Sequence, residues 1–299
     1  MAHLKTVLIV GGSGFVGSHL ARRLREKHKV YSVHFQNSLR LEGVPSFPMR
    51  NRDENWVRRM MYALAPNVVI YCAGQNRTEW ADKHEREAEG ALTAGAAQVL
   101  KAVNLFQPQF IYVSSAYIFD GSRVGNYHEP DVTVPGTLLG KLLVSAENMV
   151  RGGSLNYNIV RCSPLLGRGT GNRDTFLDHL RISLGQGRRI ELSAHELHSF
   201  GTIYGLGDMI EKLIEGGHRN KIFHLGGITK LSHYGLGREF ALRFGMNPEL
   251  VAPLRPAHDN QPIQDFSLNC TAAVNALKIK PLLLQECFDL IEEKLVTGP

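Results

Sequence analysis

The stretch that most restricts how this chain can fold runs from Thr6 to Leu24. Thr6-Val7-Leu8-Ile9-Val10 is a short apolar, β-branched run and reads as a buried parallel strand. Gly11-Gly12-Ser13-Gly14-Phe15-Val16-Gly17-Ser18 follows at once. Beyond it, Leu20, Ala21 and Leu24 recur at helical spacing among Arg22, Arg23 and Arg25. Gly11 suits the tight turn out of the strand, Gly14 a close approach of backbone to a pyrophosphate, and Gly17 close packing of helix on sheet. Ser13, Phe15 and Val16 complete the turn, and the helix N-terminus offers free N–H groups to phosphates. A glycine-rich turn without a ligand is the alternative. The strand before the glycines and the helix after them favour a dinucleotide site.

Further strand and helix patterns alternate behind this start. Val30–Phe35, Asn67–Gly74, Phe110–Ser115 and Asn158–Arg161 read as strands, and Trp56–Leu64 and Glu87–Asn104 as helices. The expected fold class is α/β, a Rossmann-type doubly wound parallel sheet with a small C-terminal substrate-binding region. Residues 1–163 form the expected dinucleotide-binding domain, with a segment at about 199–222 returning to it. Residues 164–299 form mainly the C-terminal region. There Phe176–Leu184, Tyr234–Phe244 and Leu282–Leu295 read as helices, and Ile222–Gly227 as a strand leaving the sheet.

Composition narrows the function classes. The chain is 43% hydrophobic and 21% charged, ordinary values for a globular protein. The net charge of +6 comes from basic residues spread along the chain, which predicts a solvated surface and no nucleic-acid stripe. No apolar stretch is long enough to span a membrane, and the N-terminal apolar run is too short for a signal peptide. Cys72, Cys162, Cys270 and Cys287 are far apart, so reduced core thiols and a cytoplasmic setting are expected. The 13 histidines show no metal spacing. His195 and His198 flank Glu196 and read as surface or substrate-lining groups. The oligomeric state is left open.

Four segments share an order and spacing: Phe110–Gly121, Tyr127-His128-Glu129-Pro130-Asp131 with Pro135, Ile159–Ser163 and Ile222–Gly226. Together they resemble the dTDP-4-dehydrorhamnose reductases, extended short-chain dehydrogenases/reductases to which the regulatory β subunit of methionine adenosyltransferase is a close branch. The likeness runs from Thr6 to about Phe244. It implies a nicotinamide cofactor, a nucleotide-sugar-like substrate, and catalysis by a Ser/Thr with a Tyr-x-x-x-Lys pair. Ser115 occupies the Ser/Thr position. Pro135, Gly140 and Glu147 match the family's Pro-x-x-x-Tyr-Gly-x-x-Lys-x-x-Gly-Glu pattern, which places the Tyr on Leu139 and the Lys on Leu143. Leucine can neither donate a proton nor bond a ribose hydroxyl. A two-residue shift would recruit Lys141 but put Thr137 at the Tyr position, and at about 100° per residue it turns Lys141 to nearly the opposite face. The family's Val-Asn in the Ala-rich helix reads Ala91-Leu92, a third apolar replacement.

Two tyrosines could compensate. Tyr117 follows Ser115 at a strand end, where such folds place ligands; it is expected to line the site first and to replace the acid second. Tyr127 is the other. No carboxylate follows the second strand to hold a ribose 2′-hydroxyl. His34, Asn37 and Arg40 could accept a 2′-phosphate, so NADP is favoured and NAD is the alternative. Asp53 is placed near the adenine, and the resemblance puts Ala73 and Gly74 beside the cofactor ribose. The expectation is a dinucleotide-binding protein that has lost catalysis and serves as a sensor, regulatory subunit or scaffold with a partner protein. The alternative is an active reductase or epimerase using a replacement acid. A ligand-free structural role fits the intact glycine loop least.

Overall fold

The computed structural model describes residues 4–38, 40–49, 54–170, 174–254 and 262–296. Along the chain come β1 (Thr6–Val10), α1 (Phe15–Leu24), β2 (Lys29–His34), β3 (Ser46–Pro48), α2 (Glu54–Leu64) and β4 (Val68–Tyr71). Then follow α3 (Thr78–Lys83), α4 (Glu85–Glu89), a π-helical turn at Gly90–Ala94, α5 (Gly95–Phe106), β5 (Gln109–Ser115), α6 (Leu138–Gly153) and β6 (Tyr157–Cys162). The later part holds β7 (Leu165–Leu166), α7 (Phe176–Gly185), β8 (Ile190–Ser193), β9 (Glu196–Ser199), β10 (Gly201–Thr202), α8 (Ile203–Gly216) and β11 (Lys221–Leu225). It closes with β12 (Lys230–Ser232), α9 (His233–Arg243), β13 (Val251–Leu254), β14 (Gln264–Asp265), α10 (Thr271–Leu277) and α11 (Leu284–Val296).

Seven strands form one sheet in the order β11-β6-β5-β4-β1-β2-β3, and every pairing in it is parallel. The apolar runs explain this. β4 is buried along its whole length, so it needs cover on both faces, as parallel strands with crossover helices receive. Residues of α5 and α6 pack in the core on one face, and residues of α1 and α8 in the core on the other. Strand order reverses between β1 and β4, so the crevice at their C-terminal ends is the switch point where such sheets hold ligands. Gly11 leaves β1 there, and Ala73 and Gly74 leave β4.

Two readings of the sequence need correction. The strand at 222–225 does not leave the sheet; β11 is its edge and pairs with β6 in the register Phe223↔Val160. Residues Asn158 to Cys162 of β6 are buried and need a neighbour on that side. The helix read from Glu87 to Asn104 is also not one regular helix. The Tyr71 hydroxyl donates to the Ala91 carbonyl within the π-helical turn, a type of irregularity often found at functional sites. In the C-terminal region, β12, β9 and β14 form a small sheet, β13 pairs with β8, and α7, α9 and α11 enclose a separate core. α10 packs back against β11 and α8.

Candidate functional site

At the switch point the backbone is shaped for something to lie against it. Gly11 has φ +93°, a left-handed conformation that disfavours other residues, and a Cβ there would lie 2.7 Å from the Ala73 backbone. A Cβ on Gly17 would lie 2.3 Å from the Gly11 carbonyl oxygen. Gly14 differs: its Cβ would meet nothing nearer than that same oxygen at 3.3 Å, so its open side faces space. Gly14 is also the N-cap of α1, and no side chain caps that helix. Gly14, Phe15 and Val16 line a cavity of about 550 Å³, together with Ala73 and Gly74 from the end of β4. A helix N-terminus opening uncapped into a cavity is a place for an anion. Ser13 is half-buried on the turn and is not part of the lining.

Leucines make up another part of the lining. Thr137 accepts the Gly140 N–H at 3.1 Å and so starts α6. Leu139 and Leu143 follow one turn apart, on one helix face. Both are buried and both line the cavity. Leu92, from the π-helical turn, lines it too. Thus a leucine pair from α6 and a third leucine far away in sequence line the same cavity. Ser115, at the end of β5, lies on the same cavity, and its Oγ accepts the Tyr117 N–H at 3.4 Å. The shifted register is excluded, because Thr137 is spent as the cap and Lys141 is exposed.

Tyr117 faces an adjoining cavity of about 590 Å³. Asn76, Arg77, Pro164 and Phe176 line both cavities and so mark their junction. The Tyr117 hydroxyl donates to Glu196 Oε2 at 3.1 Å. Burial, and then the Glu196 carboxylate, push the Tyr117 phenol well above its ordinary range, so it stays protonated. The neighbouring His198 ring holds Glu196 below the usual carboxylate range. Burial drives His233, which also lines this cavity, down to about 4, so it is neutral at pH 7. His195 lines the same space, while His198 is wholly buried between Tyr117, Phe200, His233 and Phe266. Glu196 and His233 were not picked out as site residues from the sequence. The only local signal was the alternation His195-Glu196-Leu197-His198.

Other expected site residues fall elsewhere. His34 is buried, its Nδ1 lies 2.9 Å from Ser46 Oγ, and burial lowers its pKa, so it supplies no positive charge for a 2′-phosphate. Asn37 and Arg40 are exposed beyond β2, outside the cavity lining. Asp53 lies outside the described residues. Tyr127 is buried, stacks on Phe119 with ring centroids 4.0 Å apart, and bonds Asp120 at 3.2 Å; it lines neither cavity and is no replacement acid. Among the described residues no group of three or more His, Cys, Asp or Glu is placed to hold a metal, and no helix is long and apolar enough to cross a membrane.

Residues 5–281 match the model of a family described as RmlD substrate binding domain. The chain belongs to this family. Among curated proteins, it is 28% identical over 170 residues to bovine methionine adenosyltransferase 2 subunit beta, a match covering 54% of this chain and 48% of that one. It is 24% identical over 200 residues to a dTDP-4-dehydrorhamnose reductase of Mycobacterium tuberculosis, covering 66% of this chain and 65% of that one. These matches span about half to two thirds of the relatives' own lengths. Among solved structures, a dTDP-4-dehydrorhamnose reductase from Bacillus anthracis in complex with NADP superimposes with a TM-score of 0.83 at 21% identity, covering 98% of this chain and all of that one. A UDP-glucose 4-epimerase from Thermotoga maritima with UDP-glucose gives a TM-score of 0.84 at 18% identity, covering 98% of this chain and 99% of that one.

Within this RmlD-family chain, the retained pattern positions all have packing roles. A Cβ on Gly140 would lie 2.1 Å from the Tyr117 carbonyl oxygen and 2.8 Å from Pro135 Cβ, so only glycine lets α6 approach that loop. Glu147 pairs with Arg161 at 2.8 Å, with side chains only 4% and 3% exposed, and Glu147 Oε1 accepts Ser114 Oγ–H at 2.6 Å. Arg161 also donates to the Glu129 carbonyl at 3.0 Å, and Glu129 Oε1 accepts the His224 N–H at 3.0 Å. Burial and Arg161 lower His224 to about 3, so the network holds a neutral imidazole. Such a satisfied buried network fixes β5, β6, β11 and α6 together.

Proposed function

We propose that this chain binds a nicotinamide dinucleotide along the β1–α1 turn, NADP(H) before NAD(H), and that it is a catalytically degenerate member of its family with a sensor, regulatory or scaffold role. The observation that carries the reading is that Leu92, Leu139, Leu143 and Ser115 line the same cavity as the uncapped α1 N-terminus. The cradle fits the group: Gly14 leaves room for backbone approach, and Gly14, Phe15 and Val16 at the uncapped helix N-terminus line the cavity. When bound, a nicotinamide supplies or takes a hydride. Reduction of a carbonyl also needs a proton donor within hydrogen-bond reach, and loss of one costs about 10²–10⁴-fold in rate. Ser115 can orient an oxygen, but the leucine wall has neither donor nor cation. In this reading residues 1–163, with the segment returning at about 199–222, make the cofactor unit, and residues 164–299 mainly cover the second cavity.

A second reading rests on Tyr117. It is the one phenol lining the adjoining cavity among the described residues, and several relatives are named as dTDP-4-dehydrorhamnose reductases. An active reductase or epimerase on a nucleotide-sugar-like substrate would use Tyr117 as its acid. Burial and Glu196 oppose this, because both resist formation of the phenolate that proton donation leaves behind.

Calorimetric titration with NADPH, NADP⁺, NADH and NAD⁺ tests the first reading. Saturable binding, tighter for the phosphorylated forms, is expected. Absence of binding by all four would remove the cofactor role.

A further inference from the structure

The hydroxyls that line the switch-point cavity are not alike. Ser114 Oγ–H donates to Glu147 Oε1 at 2.6 Å, and Ser115 Oγ accepts the Tyr117 N–H at 3.4 Å. Thr170 Oγ1 lies 2.5 Å from Ser18 Oγ. Thr175 Oγ1 lies 2.8 Å from Asp178 Oδ2 and 2.9 Å from the Gly167 carbonyl oxygen. The protein itself holds each of these four. Ser163 is the exception among the described residues: it lines the same cavity, it is 1% exposed, and its Oγ has no hydrogen-bond partner. Buried polar groups nearly always have one, so a hydroxyl orphaned at a cavity asks for a partner from outside the chain.

The main chain around Ser163 is fixed. Its N–H donates to the Leu225 carbonyl at 2.8 Å, and the next carbonyl, of Pro164, accepts the Gly201 N–H at 3.1 Å. Turning the side chain about χ1 to another staggered rotamer breaks no hydrogen bond, whereas the same turn in Ser114 or Thr175 breaks at least one. The place of Ser163 along the sheet is also particular. Outward from β1 the strands run β4, β5, β6. Ser163, just past β6, is therefore three strand spacings, ~14 Å, from the β1–α1 turn. A dinucleotide with its pyrophosphate at Gly14 extends one half to each side of that turn. Its second ribose would pass Ala73 and Gly74 at the exit of β4, and its nicotinamide would reach the exits of β5 and β6. The carboxamide is the outermost group on that ring, and it can both donate to and accept from a hydroxyl. Leu139 and Leu143, which line the same space, offer it no hydrogen bond.

We infer that Ser163 fastens the nicotinamide end of the ligand by a hydrogen bond between its hydroxyl and the carboxamide, and that the exit of β6, in place of α6, holds that half. The contact rests on the dinucleotide proposed above and adds a polar anchor that the leucines of α6 do not supply. It also gives Ser163 a sign that a packing residue lacks: its hydroxyl contributes to binding and nothing to the stability of the unliganded fold.

The test compares NADPH with 2′-phospho-ADP-ribose, which ends at the second ribose and has no nicotinamide, by calorimetry on the full chain. Ser163→Ala is expected to weaken NADPH about two- to tenfold, the worth of one neutral hydrogen bond. It should leave 2′-phospho-ADP-ribose unchanged. Without ligand, the melting temperature of the variant should hold or rise, because alanine loses no hydrogen bond there. Unchanged NADPH affinity, or equal weakening of both ligands, would overturn the contact while leaving the dinucleotide reading in place. A variant that melts well below the unmodified protein, or does not fold, would show that the hydroxyl serves the fold and would overturn it too. Binding of neither ligand to the unmodified protein would overturn the dinucleotide reading and this contact with it.

Discussion

The two walls of the switch-point cavity have kept different things. On the β1–α1 side, Gly11, Gly14 and Gly17 retain both the local geometry of a phosphate cradle and its open face. On the α6 side, the residues that hold the helix in place are kept, namely Gly140 against the Tyr117 carbonyl and Glu147 in its pair with Arg161. The positions on that side that face the cavity are Leu139 and Leu143, joined by Leu92. Packing and chemistry have therefore separated along one helix. Leu139 and Gly140 are neighbours in the chain, yet one lines the cavity and the other packs on the loop behind it. A helix that had lost its register would have lost both faces together. The packing of Gly140 and Glu147 supports the proposed register, in which the leucines stand where the family pattern places its Tyr and Lys.

The largest effect that can break this comparison is on the packing face. Glu147→Gln leaves Arg161 buried beside an uncharged amide, and removing one partner of a buried ion pair costs about 3–5 kcal/mol. Chemical denaturation should show a loss of that size; a loss below about 1 kcal/mol, the range of exposed pairs, would mean that the network does not hold α6. Next comes the cradle. Gly14→Val adds a side chain to the open face, where a Cβ meets only the Gly11 oxygen at 3.3 Å. The melting temperature should stay nearly unchanged while dinucleotide binding weakens at least about tenfold, or ~1.4 kcal/mol. Unaltered binding in this variant would place the dinucleotide elsewhere. The smallest effect concerns the choice of dinucleotide. Arg40 is exposed, and an exposed charge contact is worth about 0.2–1 kcal/mol. Arg40→Ala should therefore reduce any NADP over NAD preference only about two- to fivefold, and an unchanged ratio would take Arg40 out of 2′-phosphate recognition.

Local patterns made one wall readable before the fold was known. β1, the glycines and α1 lie in one continuous segment, so strand, turn and helix can be read from their spacing alone. Leu139 and Leu143 were legible because Pro135, Gly140 and Glu147 fix their register. What depends on distant contacts was not legible. The burial of His34 follows from Ser46 on β3, and that strand has three residues, too few for a period of two to show. Tyr117, Glu196 and His233 come from β5's exit, β9 and α9, and nothing short of the tertiary fold brings them to one cavity. The π-helical turn at Gly90–Ala94 is hidden inside a continuous helical pattern, because the Tyr71 hydroxyl that bonds it comes from β4.

The central claim is that the cofactor side survives and the proton-transfer side does not. Its most direct test is NADPH oxidation by the unmodified protein with dTDP-4-dehydrorhamnose, at enzyme and cofactor concentrations where titration shows the site filled. The expected result is oxidation no faster than the background without protein, with a small rise in Leu139→Tyr combined with Leu143→Lys. Turnover of about 1 s⁻¹ or more, in the ordinary range for enzymes, would contradict the claim, and its loss in Tyr117→Phe would identify the tyrosine that replaced the missing acid.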